Sequence, residues 1–229
     1  MQSQISNLES QIQLKVCGLT KLYQIQDLVA MDVDFLGFIF YEKSPRYALD
    51  YLSVKQISKI NHKVKVGVFV NETIENILEI TEKAKLNYIQ LHGDEHENFV
   101  SELRQKLSND VQIIKVIRVG NDISEVKKKL AEISNLESKI SNLLFDTESK
   151  AFGGTGKSFD WSMLNELEIP IPYFLSGGVS EDNIQQLPSL KQKPIALDIN
   201  SKFEIEAGNK DLEKIKNFIT QIKSPKRTT

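Results

Sequence analysis

Residues 143–161 carry the densest chemistry in the chain. The apolar run Leu143-Leu144-Phe145 ends on the carboxylate of Asp146, and Gly153-Gly154-Thr155-Gly156-Lys157-Ser158 follows within a few residues. A buried strand that stops at an acid holds it at a sheet edge, where water is scarce and substrates bind. A glycine-rich loop presents nearly bare backbone N–H groups, which wrap an anion that side chains would otherwise obstruct. One segment thus pairs a proton donor with an anion grip. That is the pattern of an active site.

Two other readings compete for the loop. From Ala151 to Ser158 it imitates a nucleotide-binding P-loop, with Ala151 in place of the first glycine. A P-loop, however, springs directly from its strand and opens directly into a helix. Here residues 146–150 intervene, and Ser158 is followed by Phe159-Asp160-Trp161, in which Asp160 reads as a helix N-cap. The context argues against a nucleotide. A purely structural glycine loop that closes a long connection is the third reading.

Chemistry at this place demands elements that hold it there. Continuous apolar runs at 14–17, 35–40, 64–70, 88–91, 112–119, 140–145, 172–175 and 194–199 read as strands. Segments of helical period separate them, at 22–31, 54–60, 74–84, 97–107, 123–133, 161–166, 181–187 and 211–222. Strands that are apolar throughout are covered on both faces, as in a parallel sheet. About eight strand–helix units predict an α/β fold of the (β/α)8 type, a TIM barrel. A doubly wound open sheet is the alternative, disfavoured by the strand count. A barrel concentrates catalysis where its strands end. The run ends comply, with Cys17, Arg46, Asn71, His92, Arg118, Asp146, Gly177-Gly178 and Asp198-Ile199-Asn200-Ser201.

Composition fits this frame. The 229 residues, 40% hydrophobic with a formal net charge of −2, suit one domain with a sizeable core. Residues 14–223 are expected to form a single catalytic barrel, with 1–13 a polar extension and 224–229 a loose tail. A near-neutral charge predicts no nucleic-acid partner, which leaves a basic footprint. No run approaches the roughly 18 apolar residues of a membrane span, so no membrane partner is expected. The polar start lacks the apolar middle of a signal peptide, and a cytoplasmic location follows as an expectation. One cysteine excludes an internal disulfide framework and fits a reducing compartment.

That cysteine has two readings. Most free cysteines are small buried hydrophobes, but Cys17 ends the first strand run beside Gly18. A thiol titrates near about 8.5 and reacts as the thiolate. Lys15 lies two residues earlier, on the same strand face, where it would lower that value or pair with a charge inside the barrel. Asp146 reads as a catalytic acid or a loop-closing carboxylate, Arg46 as an anion grip or a surface residue, and Asp198 as a substrate contact or a structural acid.

The motifs together resemble the phosphoribosylanthranilate isomerases, barrel enzymes of tryptophan biosynthesis. Segments 15–20, 37–40, 44–47, 66–71, 89–95, 145–146, 153–161, 175–178 and 197–201 carry the resemblance, which extends over roughly 14–222. The departures are Ala196 for a commoner glycine, Lys202-Phe203 for Gly-Val and Ala207-Gly208 for Pro-Gly, all around the last loop.

The resemblance implies an Amadori rearrangement of a phosphoribosyl aminobenzoate to an amino-deoxyribulose phosphate. It implies Cys17 as the base, Asp146 as the acid, and Arg46 on the anthranilate carboxylate. Asp198 faces the substrate's hydroxyls or amine, and His92 has a positioning or packing role in the same site. Gly154, Gly156, Gly177, Gly178, Asn200 and Ser201 form the phosphate site that barrels build after strands seven and eight. No metal or cofactor is expected, because the iminium intermediate is its own electron sink. The expected partner is a small phosphorylated substrate, and the chain is expected to be a monomer or homodimer. Nucleotide hydrolysis, or another phosphate-binding barrel of the same pathway, is the alternative.

Overall fold

A computed structural model describes residues 12–148 and 159–223. Eight strands, β1 (Gln13–Val16), β2 (Phe35–Ile39), β3 (Lys65–Phe69), β4 (Tyr88–Leu91), β5 (Gln112–Val119), β6 (Asn142–Thr147), β7 (Tyr173–Leu175) and β8 (Ala196–Ile199), close into a parallel barrel in sequence order. The barrel shuts where β8 pairs with β1, placing Lys15 opposite Asp198. Helices α1 (Leu22–Ala30), α2 (Val54–Ser58), α3 (Ile74–Ala84), α4 (Glu97–Lys106) and α5 (Ile123–Ile133) link the first six strands, and α6 (Leu212–Lys223) follows the last. In α3, buried Ile74, Ile77, Thr81 and Ala84 recur at helical spacing, and Thr73 caps the start by accepting from the Asn76 N–H. Among the described residues no helix is long and apolar enough to cross a membrane.

Successive strand side chains point to opposite faces, and this alternation stacks the barrel interior in layers. The lower layers are apolar: Phe35, Val66, Ile114, Val116, Leu144, Phe174 and Ala196 form one buried cluster. Nearer the carboxyl ends, Cys17, Ile39 and Val68 form another. The inward positions of β1, β4 and β8 instead carry Lys15, Gln90 and Asp198, all buried. Buried polar groups need partners, so this layer is where function is to be sought.

Three details depart from expectation. The connections after β6 and β7 carry 3-10 turns, Trp161–Glu166 and Ile184–Ser189, rather than α-helices. Asp160 does cap the first, accepting from the Ser162 N–H. The second contains Pro188, which lacks the N–H that a helix interior requires. Strand β6 runs on through Thr147, so Asp146 belongs to the strand. An unexpected hairpin, β9 (Glu204–Glu206) and β10 (Asn209–Lys210), turns at Gly208 with a φ of +79°.

Candidate active site

The barrel seam supplies the first cluster. Lys15 Nζ lies 2.9 Å from Asp198 Oδ1, with the lysine fully buried and the aspartate nearly so. Cys17 shares the inward face one level higher and is buried as a free thiol. Room for it comes from Gly37 on the neighbouring strand: a Cβ there would stand 2.9 Å from Cys17 Cα and 3.0 Å from its Sγ. Burial works against the Lys15 charge, but Asp198 and then Cys17 overcome it, and the ammonium is held above its ordinary range. Cys17 behaves in the opposite sense. Burial pushes its thiol up and Asp198 adds to this, while Lys15 and Lys210 pull down without prevailing. The expected lowering by Lys15 is therefore present but outweighed, because taking a thiolate out of water costs more than one paired lysine returns.

The second cluster spans β4 and β6. His92 Nε2 lies 3.2 Å from Asp146 Oδ2, and both side chains are about one-sixth exposed, at 15% and 16%. Asp146 Oδ1 accepts from the Thr147 N–H at 2.9 Å. Gln90 Nε2 stands 2.9 Å from His92 Nδ1. Two ties hold the loop after His92, the first of them buried. Glu95 accepts from the N–H groups of Asn71 and Gly93 and from Lys115 Nζ at 2.7 Å. Arg118 donates to the His92 carbonyl at 2.7 Å and pairs with Asp94 at 3.0 Å.

Arg46 is placed differently from the simple anion grip expected. Its Nε and Nη2 fork already holds Glu204, with Nη2 2.6 Å from Oε2. Glu204 also accepts from Lys210 Nζ at 2.6 Å, and Lys210 donates to Asn200 Oδ1 at 2.8 Å. Burial would raise the Glu204 carboxyl, yet Arg46 and Lys210 together hold it below the usual carboxylate range. One carboxylate between two cations leaves a net positive patch, and the other edge of the Arg46 guanidinium, with Nη1, is not used by Glu204. A Cβ on Gly18 would stand 2.7 Å from Arg46 Cδ, so this patch adjoins the end of β1 beside Cys17.

Of the expected phosphate residues, Gly154 and Gly156 lie outside the described residues. Gly177 and Gly178 follow β7 with φ of +77° and +75°. Asn183 secures their turn, donating to the Gly178 carbonyl at 3.0 Å and accepting from the Ser180 N–H at 2.9 Å. Asn200 and Ser201 follow β8, but the Asn200 side chain is engaged with Lys210.

A family model for N-(5′-phosphoribosyl)anthranilate isomerase matches residues 14–221. The chain belongs to that isomerase family. It is 36% identical over 216 residues to the isomerase of Parabacteroides distasonis, covering 93% of this chain and 94% of the relative. The isomerase of Caldanaerobacter subterraneus is 35% identical, with 93% and 98% covered. The crystal structure of the Thermotoga maritima isomerase superposes with a TM-score of 0.77 at 31% identity, over 93% of this chain and 98% of that one. A further isomerase structure, in complex with reduced 1-(o-carboxyphenylamino)-1-deoxyribulose 5-phosphate, gives 0.72 at 30% identity over 93% and 98%. Family membership decides against the nucleotide-hydrolase alternative.

Sequence reasoning missed Gln90, Glu204 and Lys210. For Gln90 a signal existed: an amide two residues before His92 shares its strand face. Glu204 and Lys210 lie in the unforeseen hairpin, so nothing local marked them as buried.

Proposed function

We propose that this isomerase performs its Amadori rearrangement with Asp146 as general acid and Cys17 as general base. As a member of its family it converts N-(5-phosphoribosyl)anthranilate to 1-(2-carboxyphenylamino)-1-deoxyribulose 5-phosphate, a step in tryptophan biosynthesis. The observation that carries the assignment is the convergence of two inward clusters, Lys15–Cys17–Asp198 and Gln90–His92–Asp146, at one end of the barrel.

Asp146 delivers a proton to the furanose ring oxygen, and the ring opens to an iminium. The Cys17 thiolate then takes the C2′ proton, and the C–H electrons flow into the iminium to give an enolamine. Protonation at C1′ and loss of the O2′ proton yield the aminoketone, so the composition is unchanged. The iminium charge matters for Cys17. A buried thiol held above its ordinary range needs a cation at hand, and ring opening creates one. Arg46 takes the anthranilate carboxylate through the guanidinium edge that Glu204 leaves uncovered. Gly177 and Gly178 contribute to the phosphate grip, supported by a buried Gly177 whose amide donates to no partner among the described residues. Asp198 keeps Lys15 in place and faces the substrate's polar groups. A monomeric or homodimeric state and a cytoplasmic location belong to the same reading.

His92 is the rival acid, because it lies within reach of Asp146. The substrate's fluorescence should fall on adding enzyme, and the decisive comparison is between two variants. Asp146→Asn should lose turnover while His92→Asn retains a larger share. The reverse order assigns the acid to His92.

A further inference from the structure

We propose that Gln90 is a positioning residue for the acid: its amide confines the proton of His92 to Nε2, so that the ring can donate to Asp146 but cannot accept from it. The inference rests on the reading of Asp146 as the acid. Once Asp146 has given up its proton it is a carboxylate, which only accepts hydrogen bonds, so in that state the His92 Nε2, 3.2 Å from Asp146 Oδ2, is the donor. A neutral imidazole carries one proton, which leaves Nδ1 as the acceptor. The group 2.9 Å away is then the Gln90 NH2, which donates to Nδ1. Gln90 is only 1% exposed, and its Oε1 is buried without a partner among the described residues. A buried, unsatisfied amide oxygen is costly. The single bond that this buried amide makes is the one to the His92 ring.

The consequence is directional. If His92 were free to exchange tautomers, a protonated Asp146 would donate to Nε2 and bury its proton in the ring. With Nε2 already protonated that route is closed. The acid's proton is left to point at the substrate, while the His92 N–H stabilises the carboxylate that remains after transfer. Among the described residues, the charged groups facing the pair are Asp198 on β8 and Arg118 on β5, with Asp94 beyond it; Asp198 acts on both members, and Arg118 holds the His92 carbonyl rather than its ring.

Two variants test this. Gln90→Glu offers Nδ1 only an acceptor, and Gln90→Met keeps similar bulk without any donor. In ¹⁵N spectra of the imidazole, the wild type should show the Nε2–H form near neutral pH. Gln90→Glu should show a protonated Nδ1, and Gln90→Met a mixture of tautomers. Turnover should fall roughly tenfold or more in both, with the Michaelis constant nearly unchanged, the scale on which partners that orient a functional group act. Unchanged His92 signals in both variants would overturn the proposal. So would a changed tautomer with unaltered turnover. Asp146→Asn, measured alongside, separates the two layers: if it retains turnover, the acid assignment fails, and the imidazole spectra still judge the role of Gln90.

Discussion

Cys17 is pulled in two directions, and the outcome sets its pH behaviour. Burial and Asp198 raise the thiol, Lys15 and Lys210 lower it, and the raising influences win. In the free enzyme its alkylation rate should therefore rise along a titration centred above that of an exposed cysteine, measured as iodoacetamide labelling against pH. A midpoint below the ordinary thiol value would contradict this balance. Cys17→Ser and Asp146→Asn should each cost about 10² or more in turnover, the usual share of one acid–base group, with affinity within about tenfold. Arg46→Ala should act on the Michaelis constant instead, by about 1.5–3 kcal/mol equivalent for a lost charged hydrogen bond. At this scale the sequence was informative where a polar residue interrupts an apolar strand end. Asp146, His92 and Asp198 all stood out in that way. What it could not give was the partner of each group, because Glu204 meets Arg46 across 158 residues of chain.

Elements explain why some substitutions fail before chemistry is reached. Gly177→Asp would add a carboxylate to the phosphate site, but the backbone does not take a side chain there without strain. Gly177 has a φ of +77°, and a Cβ there would meet the Thr147 amide nitrogen at 2.6 Å. The strain of a side chain in the left-handed region alone costs about 1–2 kcal/mol. Both Gly177→Ala and Gly177→Asp should lower the melting midpoint, and only the second should add electrostatic loss of phosphate binding. Equal affinity losses in the two would mean that shape, not charge, is responsible. The strands and most helices were legible because apolar period survives in any context. The 3-10 turns and the β9–β10 hairpin were not, since short segments take their form from tertiary packing rather than from their own periodicity.

Across the molecule, acid sensitivity should be traceable to the Arg46–Glu204–Lys210 knot. Glu204 is held below its ordinary value in the fold. Its contribution is complete above the unfolded carboxylate value of about 4.3 and is lost as pH falls through the lower folded value. Glu204→Gln strands two buried cations and should cost about 3 kcal/mol or more near neutral pH. Denaturant titrations should show that deficit shrinking below about pH 4, as the wild type loses what the variant lacks. A deficit constant down to pH 2 would refute the linkage. Turnover should survive a chelator, since the rearrangement supplies its own electron sink.

The Lys15–Asp198 pair joins residues 183 positions apart, across the seam where the last strand meets the first. A chain emerging from the ribosome presents its thiol with the first strand, long before Asp198 and Lys210 exist to share its pocket. The nascent protein thus carries a cysteine without its catalytic surroundings until the final strand docks. Competence arrives as a single late event, and any length of chain that stops short of β8 is chemically silent.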